Sequence, residues 1–385
     1  MTTPGEVFAA QTSDLAALGA VSRRRRLILP EGADFASNDY LGLGGSGLLA
    51  DAARAAIDRG VRVGSGGSRL LGGNHAEHEA LEADAASYFG CESALFFSSG
   101  FAANSALIST LPQRGDLIVH DELIHASAHE GMRLGRAQAV AARHNDLEDF
   151  ARIVRDYRAN GGTGTIWIAV ESLYSMDGDF APLDGLMDLA DQNGGVLLID
   201  EAHATGLFGP QGQGLAAHLE GRGNVITLRT FGKGLGCEGA ILCGPAVMRD
   251  FLINRGRGFI FSTAPSPLMA AIARAALGLV RDMPGLRDEL WALVRRAEQV
   301  LTPLGGAAKG AQIIPVIVGR DDRTMALAAH CQAAGLDVRG IRPPTVPEGT
   351  SRLRVSITRN VTPAQIERLG AVLAEASIEL DRAAA

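Results

Sequence analysis

Residues 195–206 read GVLLIDEAHATG: an apolar run from Val196 to Ile199 closes on Asp200 and is followed by Glu201, His203 and a glycine. A short continuous apolar run bounded by glycines predicts a strand buried on both faces. An aspartate at the carboxyl end of such a strand stands at the edge where open α/β sheets bind their ligands. The letters Asp200-Glu201-Ala202-His203 also fit an acidic pair that manages magnesium beside a nucleotide. The surrounding chain decides between the two readings.

Outward from this run, similar apolar stretches recur at SALFF, DLIVH, QAVAA, TIWIAV, NVITLRT and GAILCG. Helical patterns such as LEDFARIVRDYRAN and LDGLMDLADQNG lie between the earlier ones, with apolar spacings of three and four. Strands alternating with helices predict an α/β domain built on a large, mostly parallel sheet. Past residue 265 the texture changes to two long helical patterns, then QIIPVIVG, a further helix and RLRVSIT. The last helix should open on Thr362 as N-cap, with Pro363 first and Gln365 closing a capping box. The expected organisation is an N-terminal segment 1–36, a large α/β domain 37–265 and a smaller C-terminal α+β domain 266–385.

Composition narrows the function classes. Over 385 residues, 46% are hydrophobic, 21% are charged and 48 are glycine, which suits a folded, turn-rich enzyme. A net charge of −7 disfavours nucleic acid as a partner, since phosphate binding needs a basic surface. The run Arg23–Arg26 reads first as a solvated start of ordered chain. The opening residues lack the basic-then-apolar order of a leader, and no stretch is apolar for long enough to span a bilayer. Four cysteines without paired spacing (Cys91, Cys237, Cys243 and Cys331) are expected to be reduced thiols of a cytoplasmic protein.

A helicase-like reading of DEAH requires a phosphate loop, and this chain does not supply one. In TLRTFGKGLG, Gly234 follows Lys233 where a Ser or Thr would bind magnesium, and no glycine stands five residues before Gly232. GLGCEG at 234–239 fits a dinucleotide fingerprint, but AILCGP after it reads as a strand rather than the helix that fingerprint needs. His75 and His78, and His125 and His129, have helical spacings without HExxH, so no metal site is expected. Surface or supporting roles are expected for His75, His78 and His129.

Asp200 ends one strand and Lys233 follows the next, so both face the ligand edge of the sheet. A carboxylate and a lysine at one small-molecule site are the two protein groups that pyridoxal phosphate (PLP) needs: the amine bonds its aldehyde, and the carboxylate pairs with its protonated ring nitrogen. Around them, SSGFAAN starts a helix whose Gly100 and Phe101 amides can meet a phosphate. His125 is expected to stack on the ring, Ser175 and His203 to hydrogen-bond its phenolic oxygen, and Thr230 to offer a hydroxyl to the phosphate. The catalytic set is Lys233, His125, Asp200 and His203.

The motifs GSGGSRLLGG, SSGFAAN, DELIHAS, YSMDGD, DEAHATG, TFGKGLG and STAPSP together resemble the α-oxoamine synthases, within the class-II pyridoxal-phosphate-dependent aminotransferase family. The resemblance runs from DFASNDYLGL to RLRVSIT and implies the fold-type I PLP-dependent transferase fold, an acyltransferase activity and a homodimer with shared active sites. Residue by residue it implies that Asn38 and Arg354 bind the amino-acid carboxylate, and that Ser68, His125 and Thr345 touch substrate. It further implies that Arg25 reaches the site and that Thr263 reaches the phosphate of the partner subunit. IRPPTVPEGTSRLR is most similar to members that join L-alanine to a pimeloyl thioester, carried by coenzyme A or an acyl carrier protein. Apolar Leu70, where aminolevulinate synthases resemble one another in carrying Asn, suits a chain of several methylenes. A sibling activity on glycine or serine (glycine C-acetyltransferase or 5-aminolevulinate synthase type) and a non-catalytic subunit of the same fold are the alternatives.

Overall fold

The structure, a computed structural model, describes residues 7–384. The first six residues of the expected N-terminal segment, which also open the stretch read as lacking a leader, lie outside the described residues. The chain divides into two compact units, one of residues 39–175 and 179–287, the other of 7–38, 176–178 and 288–384.

Strand β1 (Ala33–Asp34) belongs to the smaller unit. The larger unit is built on β2 (Ser93–Phe97), β3 (Leu117–Asp121), β4 (Gln138–Ala142), β5 (Ile166–Glu171), β6 (Val196–Asp200), β7 (Val225–Thr230) and β8 (Ala240–Gly244). These seven are the seven apolar runs read from the sequence. They form one sheet in the order β2-β8-β7-β6-β5-β3-β4, with β8 antiparallel to both neighbours and the other pairs parallel.

Because side chains alternate along a strand, the central runs feed two cores, while the edge strand β4 is mostly exposed. Ile118, Trp167, Ala169, Leu198, Ile226 and Leu228 pack on one face, whereas Val119, Ile168, Val170, Leu197 and Ile199 pack on the other. Sheets buried on both faces in this way require continuous apolar runs, and such runs raised the expectation. Asp200 and Glu171 are register partners at the carboxyl ends of β6 and β5, so both project on the first face.

The smaller unit carries β9 (Ile313–Gly319), β10 (Leu336–Asp337), β11 (Arg339–Ile341) and β12 (Ser351–Ser356). Strands β11, β12 and β9 make an antiparallel sheet, while β1 pairs with β10. The helix Pro363–Ala384 begins as expected: the Thr362 hydroxyl accepts from the Gln365 amide, and the Gln365 side chain accepts from the Thr362 amide at 2.8 Å.

Two expected boundaries move. The helix Pro267–Asp282, placed by its texture with the C-terminal domain, belongs to the larger unit. Its stripe of Ala270, Ala273, Ala276, Leu277 and Val280 is buried against the helices Gly47–Asp58 and Ala76–Phe89. The division therefore falls inside the next helix, Gly285–Leu301, instead of at 266. The N-terminal segment is not separate either. Its β1 is paired into the smaller unit, and Arg23 is ion-paired there with Asp321 at 2.7 Å and Glu348 at 2.7 Å.

Candidate active site

In the larger unit, β6 delivers Asp200 to a network built from three elements. Its Oδ2 accepts from the Asn104 side-chain amide at 2.7 Å, and its Oδ1 from the Ala202 amide at 2.9 Å. Asn104 also donates to the Ser127 hydroxyl at 3.0 Å, which lies 2.8 Å from His125 Nδ1. Both of these donors to Asp200 are neutral: they orient the carboxylate without cancelling its charge. The Ser127 amide donates to the same His125 nitrogen at 3.2 Å, which makes Nδ1 an acceptor. Burial, with repulsion from Lys233 and His129, lowers the His125 pKa against the pull of Asp200. The ring is thus a neutral aromatic face near the carboxylate.

His203, three residues beyond Asp200, is held through Nδ1 by the Tyr40 hydroxyl at 2.6 Å. Strand β7 ends on Thr230 and runs into the turn that carries Lys233. This turn is closed by Phe231 donating to Gly239 at 2.9 Å and Cys237 donating to Phe231 at 2.8 Å. Both flanks of the lysine are therefore fixed. Only two lysines occur among the chain's 36 Lys and Arg residues, and the other, Lys309, is exposed in the smaller unit.

A helix start that could cradle a phosphate lies beside them. The helix Gly100–Thr110 is capped by the Ser99 hydroxyl, which accepts from the Ala102 amide at 3.1 Å, and Gly100 and Phe101 form its opening turn. A Cβ built on Gly100 would sit 4.0 Å from the Thr230 hydroxyl, so the helix start and that hydroxyl are neighbours. Thr230 itself donates to the Gly239 carbonyl at 3.2 Å and accepts from the Gly232 amide at 3.3 Å, so here its hydroxyl also braces the lysine turn. An amide-rich helix start, a buried carboxylate, a neutral aromatic face and a lysine match in chemistry the phosphate, ring nitrogen, ring face and aldehyde of PLP. The residues fit the group.

Of the remaining expected residues in this unit, Ser175 is half-buried, and its amide donates to the Glu171 carboxyl. Thr263 is exposed. The Ser68 hydroxyl is buried and has no hydrogen-bond partner, which suits a group waiting for a ligand. His78, expected in a surface or a supporting role, is fully buried, with Nε2 bonded to the Pro265 carbonyl at 2.8 Å, which leaves only the second of the two. Glu201, the second letter of DEAH, points to the opposite face, where it pairs with buried Arg229 at 3.3 Å. Arg229 also pairs with Glu220 and stacks 4.1 Å over the Phe89 ring. That ion triad is structural support behind the site, not a magnesium centre.

In the smaller unit, Arg354 is buried and donates to Asn38 Oδ1 at 3.0 Å and to the Ser356 hydroxyl at 2.8 Å. Arg25 donates to the Thr345 hydroxyl at 3.0 Å. Four of the six residues expected to contact substrate thus meet in two pairs, and Arg23 is engaged elsewhere.

The sequence reading passed over Tyr40, Asn104, Ser127, Glu171 and His144. Asn104 had a signal, a polar residue one helical turn beyond Gly100 inside an otherwise small and apolar stretch. His144 had none, because it acts through residues far away in the chain. Its Nδ1 lies 2.9 Å from Asp121, at the end of β3, and its Nε2 lies 2.9 Å from Asp179. Burial alone would lower its pKa, but the hydrogen bonds to these two carboxylates outweigh that and push it up to about 10. The imidazolium ties the segment leading to His125 to the segment that follows Ser175.

Because this folded pKa lies above the unfolded value, the stabilisation is complete below about pH 6.5 and is lost as pH rises through about 10. His144→Asn should therefore cost about 3 kcal/mol at pH 6, where fully buried Asp121 loses a charged donor. The deficit should shrink toward pH 10. Urea unfolding at several pH values checks this, and a deficit independent of pH would refute the clamp.

The aminotransferase class I and II family matches residues 30–373. The 8-amino-7-oxononanoate synthase of Citrifermentans bemidjiense is 40% identical over 349 residues, covering 89% of this chain and 88% of that protein. Among solved structures, one of SPT (serine palmitoyltransferase) with a PLP internal aldimine superposes with a TM-score of 0.88 at 26% identity, over 99% of this chain and 100% of that one. The 8-amino-7-oxononanoate synthase of Francisella tularensis gives a TM-score of 0.77 at 25% identity, over 91% and 99% of the two chains.

Proposed function

The chain belongs to the aminotransferase class I and II family, and from that premise we propose that it is a PLP-dependent, decarboxylating C-acyltransferase. It condenses L-alanine with a pimeloyl thioester, giving 8-amino-7-oxononanoate, the free thiol and carbon dioxide, a step of biotin biosynthesis. The observation that carries this reading is the Asp200–Asn104–Ser127–His125 network beside the braced turn of Lys233. Helix and hydroxyl positions alone would suit many anions. An oriented carboxylate, a neutral ring and a lysine together suit PLP.

When bound, PLP supplies an aldehyde for the amino group and a ring that takes up the electron pair left at the substrate α-carbon. Asp200 holds the positive charge on the ring nitrogen, and Asn104 keeps the carboxylate aimed. His125 covers the ring face, and Ser175 and His203 hydrogen-bond the phenolic oxygen. The Gly100 and Phe101 amides and Thr230 bind the phosphate, joined by Thr263 from a second copy of the chain. The Lys233 amine takes the α-proton from alanine and returns a proton to the product carbon. Arg354 and Asn38 bind the alanine carboxylate, which leaves as carbon dioxide. Arg25, Ser68, His125 and Thr345 contact the substrates.

The reading includes a homodimer located in the cytoplasm. Phe101, Leu134 and Phe251 line one open groove of the larger unit, and Leu71 and Phe261 are 83% and 71% exposed. Apolar surface of this kind marks an interaction face. Light scattering that returns a monomer would remove the dimer and, with it, the role of Thr263.

Asp200→Asn should slow exchange of the alanine α-proton with solvent deuterium by at least roughly tenfold, about 1.4 kcal/mol, because an amide stabilises a protonated ring nitrogen poorly. Unchanged exchange would unseat Asp200. The reaction itself is tested by incubating the enzyme with L-alanine and pimeloyl thioester and identifying the product by mass. Carrying the acyl group on coenzyme A in one arm and on an acyl carrier protein in the other separates the two donors.

A further inference from the structure

Glu171 ends β5 in register with Asp200 on β6, so two carboxyl groups project side by side from strands about 4.8 Å apart. Glu171 is 3% exposed, and its Oε1 has no hydrogen-bond partner. The Ser175 amide donates to the carboxyl. The other charges that bear on it are Lys233 beyond β7, which favours its ionised form, and Asp121 at the end of β3, which opposes it. Asp121 is already matched by His144 and by the Leu123 and Asn145 amides, each at 2.8 Å.

Two neighbouring buried carboxylates cannot both ionise cheaply, and a charged oxygen without a partner costs far more than a neutral one. Asp200 has two donors oriented on it, whereas Glu171 has a bare oxygen. We propose that Glu171 is a positioning residue that keeps its proton, so that the single negative charge of the pair stays on Asp200. Burial first, then Asp200, raises its pKa to about 8, in keeping with this placement. The functional effect is indirect. Glu171 presents a neutral acid beside the carboxylate that serves the ring nitrogen, and this role rests on the PLP reading above.

A carboxyl group whose pKa is raised on folding loses stability as pH climbs from its unfolded value toward its folded one. Relative to wild type, the Glu171→Gln holoenzyme should therefore gain in folding equilibrium constant by up to about tenfold per pH unit between pH 4.5 and 8, then level off. Difference infrared spectra of the wild-type holoenzyme should show a protonated-carboxyl C=O band at pH 6 that is gone by pH 9 and absent from Glu171→Gln. Parallel stability curves, or the lack of such a band, would overturn the proposal. Should Glu171→Gln not fold, Asp200→Asn carries the test. Removing the neighbouring charge must lower the pH at which the band disappears, and an unmoved midpoint overturns the proposal. A titrating Glu171 band in a protein that fails to bind PLP would separate failure of the cofactor reading from failure of this one.

Discussion

Lys233→Ala should lower turnover by at least about a thousandfold while the protein stays folded. The size follows from the number of tasks the proposed function gives this amine: holding the cofactor, taking the α-proton and returning a proton to the product. No neighbouring group substitutes for it, because His125 is held with Nδ1 as an acceptor and His203 is held by Tyr40. Folding should survive because the turn is closed by backbone hydrogen bonds through Phe231, Cys237 and Gly239. Borohydride reduction of the holoenzyme, followed by peptide mapping, should place the cofactor on the peptide containing TFGK. Label on Lys309, or substantial activity of the variant, would refute the assignment.

The second large effect concerns the acyl substrate. The enzyme should prefer a pimeloyl thioester over acetyl or succinyl thioesters by at least roughly a hundredfold in kcat/KM, since each buried methylene contributes about 0.8 kcal/mol and several are at stake. Leu70 is the sequence feature behind the expectation, and in the structure it is 52% exposed, an apolar side chain open to a ligand or a second subunit. For the amino acid the margin should be smaller, about tenfold for L-alanine over glycine or serine, because one methyl group is all that distinguishes alanine from glycine. Released thiol measured for three amino acids against three thioesters decides both. A preference for glycine with a short acyl group would move the protein to a sibling activity and leave Lys233 and Asp200 in place. The backbone likeness to both a serine palmitoyltransferase and an 8-amino-7-oxononanoate synthase makes this matrix informative, since one fold serves both.

The sheet was legible because its strands, the exposed edge strand β4 excepted, are short runs buried on two faces, a signal contained in the run itself. The places of Asp200 and Lys233 in the fold were legible for a related reason: one ends such a run and the other follows the next in the turn after Thr230. Tertiary partners are different. His144 meets Asp121 and Asp179 across gaps of 23 and 35 residues, and no local pattern announces such a meeting. Glu171 was hidden in TIWIAVE as an ordinary strand end, and its meaning appeared only when register placed it beside Asp200. The domain boundary failed because the helix Pro267–Asp282 carries an amphipathic stripe that fits either unit. Which neighbour buries that stripe is a tertiary fact.

The near absence of lysine has a consequence for the chemistry of the surface. Guanidinium groups stay protonated at any working pH and do not condense readily with simple aldehydes, whereas a lysine amine does. A protein that handles an aldehyde cofactor and displays Lys309 as its one exposed lysine among the described residues has few places for stray adducts. Reduced, intact protein should therefore carry close to one cofactor mass per chain even with aldehyde in excess, making that mass a direct gauge of occupancy. The same scarcity blinds glutaraldehyde and other amine-directed crosslinkers to contacts between subunits, so a negative result from them says nothing about how many copies assemble.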